Sequence, residues 1–350
     1  MTSVIAKCDR TIRDYSRMSR RVGLIRAALP MLARLNLYRN VYKLQIEVTT
    51  HCNLRCVMCE HTRWDEKPAT MELEDLKTII DSLPALIHVD ITGIGETLLY
   101  RHFVRAIGYL KSRNIFVAFT SNLSLPLNQD LTEAILHNAN VVKVSIDGGS
   151  KQTYEDIRRG ANWDLVIRNL QALTQAKEKA KRGPPIIQIV YTILENNYQQ
   201  ITKAASLFSS IGADAVCFQI PQLPDLSWHR QNKHLIYAAV DQAIKESSGK
   251  RFQINFSKYE LDKPSISICP NAYSNFFITV NGDVFPCCFI HHAGSRSTYM
   301  THKFGNILEL KDKIISTPKR QTFIDAFRSH NVPPLCLRCP VYAFNGDNQR

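Results

Sequence analysis

From residue 44 onward, short apolar runs alternate with amphipathic stretches, and this rhythm limits the fold more than any other feature of the chain. Strand-like runs are read at Leu44–Val48, Ile87–Thr92, Ile115–Thr120, Val141–Ile146, Ile186–Leu194 and Ala215–Pro221. Helical patterns lie between them, as in Leu73–Ser82, Phe103–Lys111, Trp163–Ala176 and Ile201–Ser210. A strand that runs parallel to its predecessor needs a crossover, usually a helix, so the alternation implies a parallel sheet. Six such units in about 180 residues are too few for a complete eight-stranded barrel. The expected fold is α/β, with a partial (β/α)6 barrel over residues 44–222.

Beyond residue 222 the rhythm breaks. Residues 223–267 read as a linker with one helix around Leu235–Glu246. Residues 268–350 contain Phe276–Val280, Asn281-Gly282 and Val284–Phe285, a hairpin pattern with an Asn-Gly turn, followed by a helix near Pro318–Phe327. This tail is short and rich in cysteine, so a small metal-stapled domain built on the hairpin is expected.

The net charge of +13 is concentrated at the start: residues 1–43 hold ten basic and two acidic side chains. With Leu24, Ile25, Leu29, Met31, Leu32 and Leu35 among the arginines, this leader reads as basic amphipathic helix interrupted near Pro30. It suits packing on the outside of the catalytic domain, docking of a partner, or an anionic surface. The remaining chain is too nearly neutral to read as a nucleic-acid binder. No apolar run reaches the 18 residues of a membrane span, and no secretory signal pattern is present, so a cytoplasmic location is expected. Ten cysteines in an unsecreted chain argue for metal rather than disulfides.

Cys52, Cys56 and Cys59 follow the first strand as C-x3-C-x2-C. The spacing supplies three thiolates and withholds a fourth. A [4Fe–4S] cluster takes four ligands, so three leave one iron open. Structural zinc prefers four closed ligands in paired CxxC form. Polar clusters then stand at the ends of the next three strands: Gly93-Ile94-Gly95-Glu96-Thr97, Thr120-Ser121-Asn122, and Ser145-Ile146-Asp147 with Arg158-Arg159 beyond it. Strand C-termini are where barrel active sites form. Each cluster also has an ordinary structural reading, as a βα turn, a helix cap or a solvated pair of arginines. A second cysteine set comprises Cys269, Cys287, Cys336 and Cys339, with Cys288 spare.

The cysteine triplet resembles the cluster motif of the radical SAM enzymes, and the second set resembles their SPASM/twitch extension. The resemblance spans roughly residues 44–345. It implies a [4Fe–4S] cluster on Cys52, Cys56 and Cys59 whose open iron binds S-adenosylmethionine (SAM) and cleaves it reductively to a 5′-deoxyadenosyl radical. It implies that Met58 touches adenine and that Gly95 and Glu96 bind the methionine amine, with Ile94 departing from the family's Gly-Gly-Glu. Ser121 or Asn122, and Ser145, would hold the ribose, and Arg158 or Arg159 the methionine carboxylate. Cys269, Cys287, Cys336 and Cys339 would ligate one auxiliary [4Fe–4S] cluster, or a structural zinc.

The cysteine layout is close to that of single-cluster aminocyclitol dehydrogenases. The leading expectation is therefore oxidation or epimerisation of a small polar substrate such as a sugar or aminocyclitol. The alternative is a maturase acting on a ribosomally made peptide. Epimerisation needs a returning hydrogen atom, for which the thiols of Cys217 and Cys288 are candidates. A flavodoxin- or ferredoxin-type protein would supply electrons.

Overall fold

The computed structural model describes residues 40–63, 67–181, 183–221, 225–249, 251–256, 273–288 and 300–329, and the single residues 331, 333 and 336. The basic leader up to residue 39, Cys269 and Cys339 lie outside the described residues. Six strands stand where the apolar runs place them: β1 (Lys43–Ile46), β2 (His88–Ile91), β3 (Phe116–Ser121), β4 (Val141–Ser145), β5 (Ile186–Thr192) and β6 (Ala215–Gln219). They lie side by side in chain order and pair in parallel. The crossovers are α1 (Leu73–Asp81), α2 (Phe103–Ser112), α3 (Gln129–Asn138), α4 (Lys151–Ile157) with α5 (Trp163–Lys179), and α6 (Ile201–Ile211).

Local chemistry sets the helix ends. Asn128 and Asn162 cap α3 and α5 by accepting from the backbone N–H of Leu131 and Leu165. Gly212, at φ 93°, closes α6 in a left-handed conformation that disfavours a side chain. In α1 the apolar Leu73, Leu76, Ile79 and Ile80 fall on one face and are buried.

The alternation along each strand divides the sheet into two unlike faces. Val89, Ile91, Val117, Phe119, Val142, Val144, Ile187, Ile189, Val216 and Phe218 point to the helices and are all 0% exposed. Their neighbours in sequence face the interior of the curved sheet and are mostly polar: Gln45, Asp90, Thr92, Thr120, Lys143, Gln188 and Gln219. All of these except Asp90 are only half-buried. The helix side is a closed apolar core, and the interior side is a polar, only half-buried face that borders the chamber.

Four strands extend the sheet beyond the six expected, one on one edge and three on the other. After α7 (Lys233–Glu246), β7 (Gln253–Phe256) pairs in parallel with β6, inside the stretch read as a linker. On the other edge, β8 (Asn275–Ile278) pairs in parallel with β1, Lys43 opposite Asn275 and Ile46 opposite Ile278. β8 is the first strand of the expected hairpin, with β9 (Asp283–Phe285) as its return and β10 (Gly305–Asn306) beside it. The sheet order is β10-β9-β8-β1-β2-β3-β4-β5-β6-β7, open at both ends. At the hairpin turn Gly282 is left-handed (φ 82°) and its N–H donates to Thr279 O at 2.9 Å. Helix α8 (Pro318–Arg328) closes this region, its buried Arg320 donating to Tyr273 O and Ile315 O.

Asn197 fastens the exit of β5 and is fully buried. Its Nδ2 donates to Asp147 O and Thr192 O, each at 2.9 Å, and its Oδ1 accepts from Leu194 N at 2.7 Å. Asn197→Ala strands these buried groups together. The expected loss is about 3 kcal/mol, read as a lower urea midpoint with an unchanged denaturant slope.

Candidate active site at the strand ends

The cysteine loop leaves β1 and is tied down on two sides. On one, Arg55–Cys56 forms a short antiparallel ribbon with Arg158–Arg159, Cys56 opposite Arg158, and Val57 N donates to Ile157 O at 3.0 Å. On the other, Asn53 Oδ1 accepts from Asn122 Nδ2 at 2.9 Å and Asn53 Nδ2 donates to Ser124 Oγ at 2.8 Å. Cys59 N turns back to Cys56 O at 3.1 Å. Cys56 is buried, and Cys52, Met58 and Cys59 are half-buried.

Burial pushes all three thiols up, Cys59 to about 11. Each of Cys52 and Cys59 is pushed further by the charge of its neighbours in the triplet, so the three share one electrostatic neighbourhood. Among the described residues no three Cys, His, Asp or Glu side chains close on a point as a single ion would require. A lone zinc gathers its sulfurs within about 2.3 Å of itself. A cluster whose irons each take one thiolate spreads them apart. The donor set fits a cluster: three free thiols in one neighbourhood whose ionisation burial opposes until positive charge arrives.

The Gly93–Glu96 turn is wedged beneath this loop. A Cβ on Gly95 would stand 2.3 Å from Thr49 O and 2.8 Å from His51 O, so only glycine fits. Glu96 N then donates to His51 O at 2.8 Å. The Glu96 carboxylate is 3% exposed. It accepts from Ser121 Oγ (2.6 Å), Asn122 N (2.7 Å) and Leu98 N (3.0 Å). Burial raises its pKa, against which these three donors pull. A carboxylate has about four lone-pair positions, so one remains for an ammonium group. The sequence reading missed Glu47, a buried residue of the interior face whose Oε2 accepts from Ile94 N at 2.9 Å. It also missed Asn53, the brace of the cysteine loop. Neither belongs to a motif, and only strand alternation could have pointed to Glu47.

Ser121 and Asn122 are both buried and both engaged with the protein, Ser121 on Glu96 and Asn122 on Asn53 and Ser124. Ser145 ends β4 on the interior face, 8% exposed. The two arginines are unlike each other. Arg159 is exposed. Arg158 is buried, ion-paired through Nε to Asp147 Oδ2 at 2.6 Å, with Nη1 3.8 Å from Cys56 Sγ. Burial works against its charge, and the Asp147 carboxylate together with Cys56 and Tyr154 outweighs it, so its pKa is raised.

Deeper in the chamber, Asp90 is ion-paired with Lys143 and accepts from the Thr92 hydroxyl at 2.8 Å; that hydroxyl lies 2.9 Å from Thr120 Oγ1. Cys217 sits on the interior face, its rung running Ser145–Val190–Cys217–Asn255 across four strands. Cys288 reaches the same chamber from the C-terminal segment. It packs beside Phe277 and Phe285, and burial pushes its thiol up to about 11, with Asp90 adding to the shift and a Gln45 hydrogen bond opposing it. Cys287 and Cys336 are half-buried; their expected co-ligands Cys269 and Cys339 lie outside the described residues.

A polar interior face in a parallel sheet, a three-thiol loop at the end of its first strand and a C-terminal hairpin paired with that strand together suit a cluster-bearing partial barrel. The profile of the radical SAM superfamily matches residues 46–229, and the chain belongs to that superfamily. The SPASM iron-sulfur cluster-binding domain matches residues 269–340. The protein therefore binds a [4Fe–4S] cluster and SAM, and carries a further iron–sulfur site in its C-terminal part.

Over 317 residues the chain is 22% identical to the tungsten-containing aldehyde ferredoxin oxidoreductase cofactor-modifying protein of Pyrococcus furiosus, covering 85% of this chain and 87% of that one. It is 28% identical over 169 residues to the mycofactocin maturase MftC of Mycobacterium tuberculosis, covering 48% of this chain and 41% of the maturase. Among solved structures, SuiB of Streptococcus suis bound to S-adenosylmethionine superposes with a TM-score of 0.67 at 15% identity, over 90% of this chain and 73% of that one. The anSMEcpe structure with bound AdoMet gives 0.63 at 18% identity, over 85% and 86%. These two likenesses confirm the fold.

Two outcomes follow from the geometry. Gly95→Ala drives the turn away from the cysteine loop, so iron and sulfide per chain should fall severalfold while far-UV circular dichroism stays near that of the parent. For Asp90, burial opposes ionisation, but Lys143 and then Lys43 overcome it and hold the carboxyl well below the usual range. A depressed carboxyl stabilises the fold above its unfolded pKa of about 4 and loses that contribution as pH falls toward its folded value. Lys143→Met should cost about 3 kcal/mol at neutral pH. Its deficit relative to the parent should narrow in denaturant titrations run below about pH 4.

Proposed function

We propose that this protein is a radical SAM maturase that takes a hydrogen atom from a residue of a peptide substrate. The sequence likeness to mycofactocin maturases over the barrel half carries this reading. The likeness in fold to SuiB, a protein also seen bound to its precursor peptide SuiA, is compatible with it. Bound at the strand ends, the cluster and SAM supply one electron and the 5′-deoxyadenosyl radical with which this superfamily abstracts hydrogen from carbon.

The chain's own residues position that chemistry. Cys52, Cys56 and Cys59 hold the cluster at the mouth of the chamber. Glu96 offers its remaining lone pair to the methionine ammonium. Ser145, on the interior rung, would hold the ribose, and Met58 would contact the adenine. Exposed Arg159 is free to reach a carboxylate. Cys269, Cys287, Cys336 and Cys339 would hold the auxiliary cluster, which would supply a one-electron acceptor. A flavodoxin- or ferredoxin-type protein in the cytoplasm supplies the electron.

A second reading keeps the small polar substrate. Gln45, Thr92, Thr120, Lys143, Gln188 and Gln219 make a chamber suited to a hydroxylated ring, although none of the relatives described above supports a sugar or aminocyclitol substrate. Anaerobic turnover separates the two. A cognate precursor peptide should raise 5′-deoxyadenosine well above the substrate-free level and change mass, and Cys56→Ala should return it to background. Stimulation by sugars or aminocyclitols and by no peptide would favour the second reading.

Epimerisation and oxidation differ in the fate of hydrogen. Cys217, on the interior face, and Cys288, beside Gln45, are the candidate thiols for returning hydrogen. Turnover in deuterium oxide should then leave deuterium in the product, and Cys217→Ser or Cys288→Ser should abolish it. A product two hydrogens lighter and free of deuterium would assign net oxidation.

A further inference from the structure

The resemblance implies that Arg158 or Arg159 binds the methionine carboxylate, but the geometry gives Arg158 a different task. We infer that Arg158 is a positioning residue for the SAM-binding cluster: held by Asp147, it donates to the sulfur of Cys56 and makes the cluster easier to reduce. The inference rests on Cys56 being a cluster ligand, which the iron content of Cys56→Ala checks separately.

Three observations carry it. First, the backbone sets the register. Cys56 faces Arg158 across the short ribbon, and Val57 N donates to Ile157 O at 3.0 Å, so the two side chains cannot slip past each other. Second, the guanidinium is anchored from behind. Its Nε stands 2.6 Å from Asp147 Oδ2, and Asp147 is itself fully buried. Asp147 Oδ1 accepts from Thr192 N at 2.6 Å, and Asp147 O accepts from Asn197 Nδ2 at 2.9 Å. The carboxylate thus has no freedom to follow an arginine that swings away. Third, the free end of the fork points at sulfur, Nη1 lying 3.8 Å from Cys56 Sγ.

The consequence is electrostatic. Adding an electron to a cluster raises its negative charge, and a donor on a ligand sulfur stabilises the reduced form more than the oxidised one. Asp147 neutralises the pair at long range. Near the sulfur, however, the positive end of the pair is in contact and the negative end is behind it, so the local field still favours reduction. Burial strengthens this contact because little water screens it. Arg159 is exposed and makes no such contact, which leaves it as the arginine suited to an incoming carboxylate.

The test is an electron-paramagnetic-resonance redox titration of reconstituted holoenzyme without SAM, comparing the parent with Arg158→Met and Arg158→Lys. Calorimetric titration with SAM runs alongside. In Arg158→Met the SAM-binding cluster's reduction equilibrium should become at least about tenfold less favourable, a shift of about 59 mV to more negative potential for one electron. Arg158→Lys keeps the charge without the fork and should recover part of it. The auxiliary couple should stay put, since a general loosening would move both. An unchanged potential together with lost SAM affinity would overturn the inference and make Arg158 a carboxylate clamp. Equal shifts in both couples would overturn it as well. If Arg158→Met takes up no iron, Arg158→Lys decides: a shift in the same direction supports the inference, and the parent's potential defeats it.

Discussion

The buried carboxylate of Glu96 is the joint on which the site depends. Taking a carboxylate out of water is costly unless hydrogen bonds replace the lost hydration. Ser121, Asn122 and Leu98 supply three, drawn from the ends of β2 and β3. The same residue's N–H holds His51 O, at the root of the cysteine loop. One side chain therefore sets β2, β3 and the thiol loop in a single arrangement. The close approach that permits it exists because position 95 has no Cβ. Its acceptor capacity toward an ammonium follows from the same arrangement, so the group that builds the site is also suited to reading the cofactor.

How much of this was legible depended on the signal each feature leaves in sequence. Strands β1 to β6 were readable because their helix-facing residues are apolar and their runs are bounded by helical patterns. β7 was not. Its Gln253-Ile254-Asn255-Phe256 is four residues long at a sheet edge, with both polar residues exposed, and it looks like a loop. The hairpin was readable from Asn281-Gly282. Its parallel attachment to β1 was not, because register between distant strands leaves no local trace. Of the site, the cysteine triplet and Glu96 were legible from spacing. Asn53 and Glu47 were not, since a bracing amide and a buried strand carboxylate belong to no pattern that a single sequence displays. The tandem Arg158-Arg159 was visible as a pair, but only burial divides it into one arginine locked on Asp147 and another in solvent.

The two faces of the sheet explain why chemistry is confined to one of them. The helix-facing side is closed by aliphatic and aromatic residues and admits no water. The interior face carries amides, hydroxyls and the Asp90–Lys143 pair, most of them half-buried although they lie in the middle of strands. Polar groups in such positions need partners. Some find them in each other, as Thr92 does in Asp90. Others keep contact with solvent that a polar substrate can displace, exchanging its own hydrogen bonds for those of water. The chamber thus suits a substrate that brings polar groups of its own, whether a side chain of a peptide or a small hydroxylated molecule.

The attachment of β8 to β1 makes the cysteine-rich tail part of the chamber rather than an appendage. Because Phe277 stands in register with Gln45, the hairpin's inward face continues that of the barrel. The chain leaves β9 at Phe285 and reaches Cys287 and Cys288 within three residues, so these thiols are delivered to the interior edge with little freedom to lie elsewhere. Cys288 consequently meets Gln45 and feels the charge of Asp90.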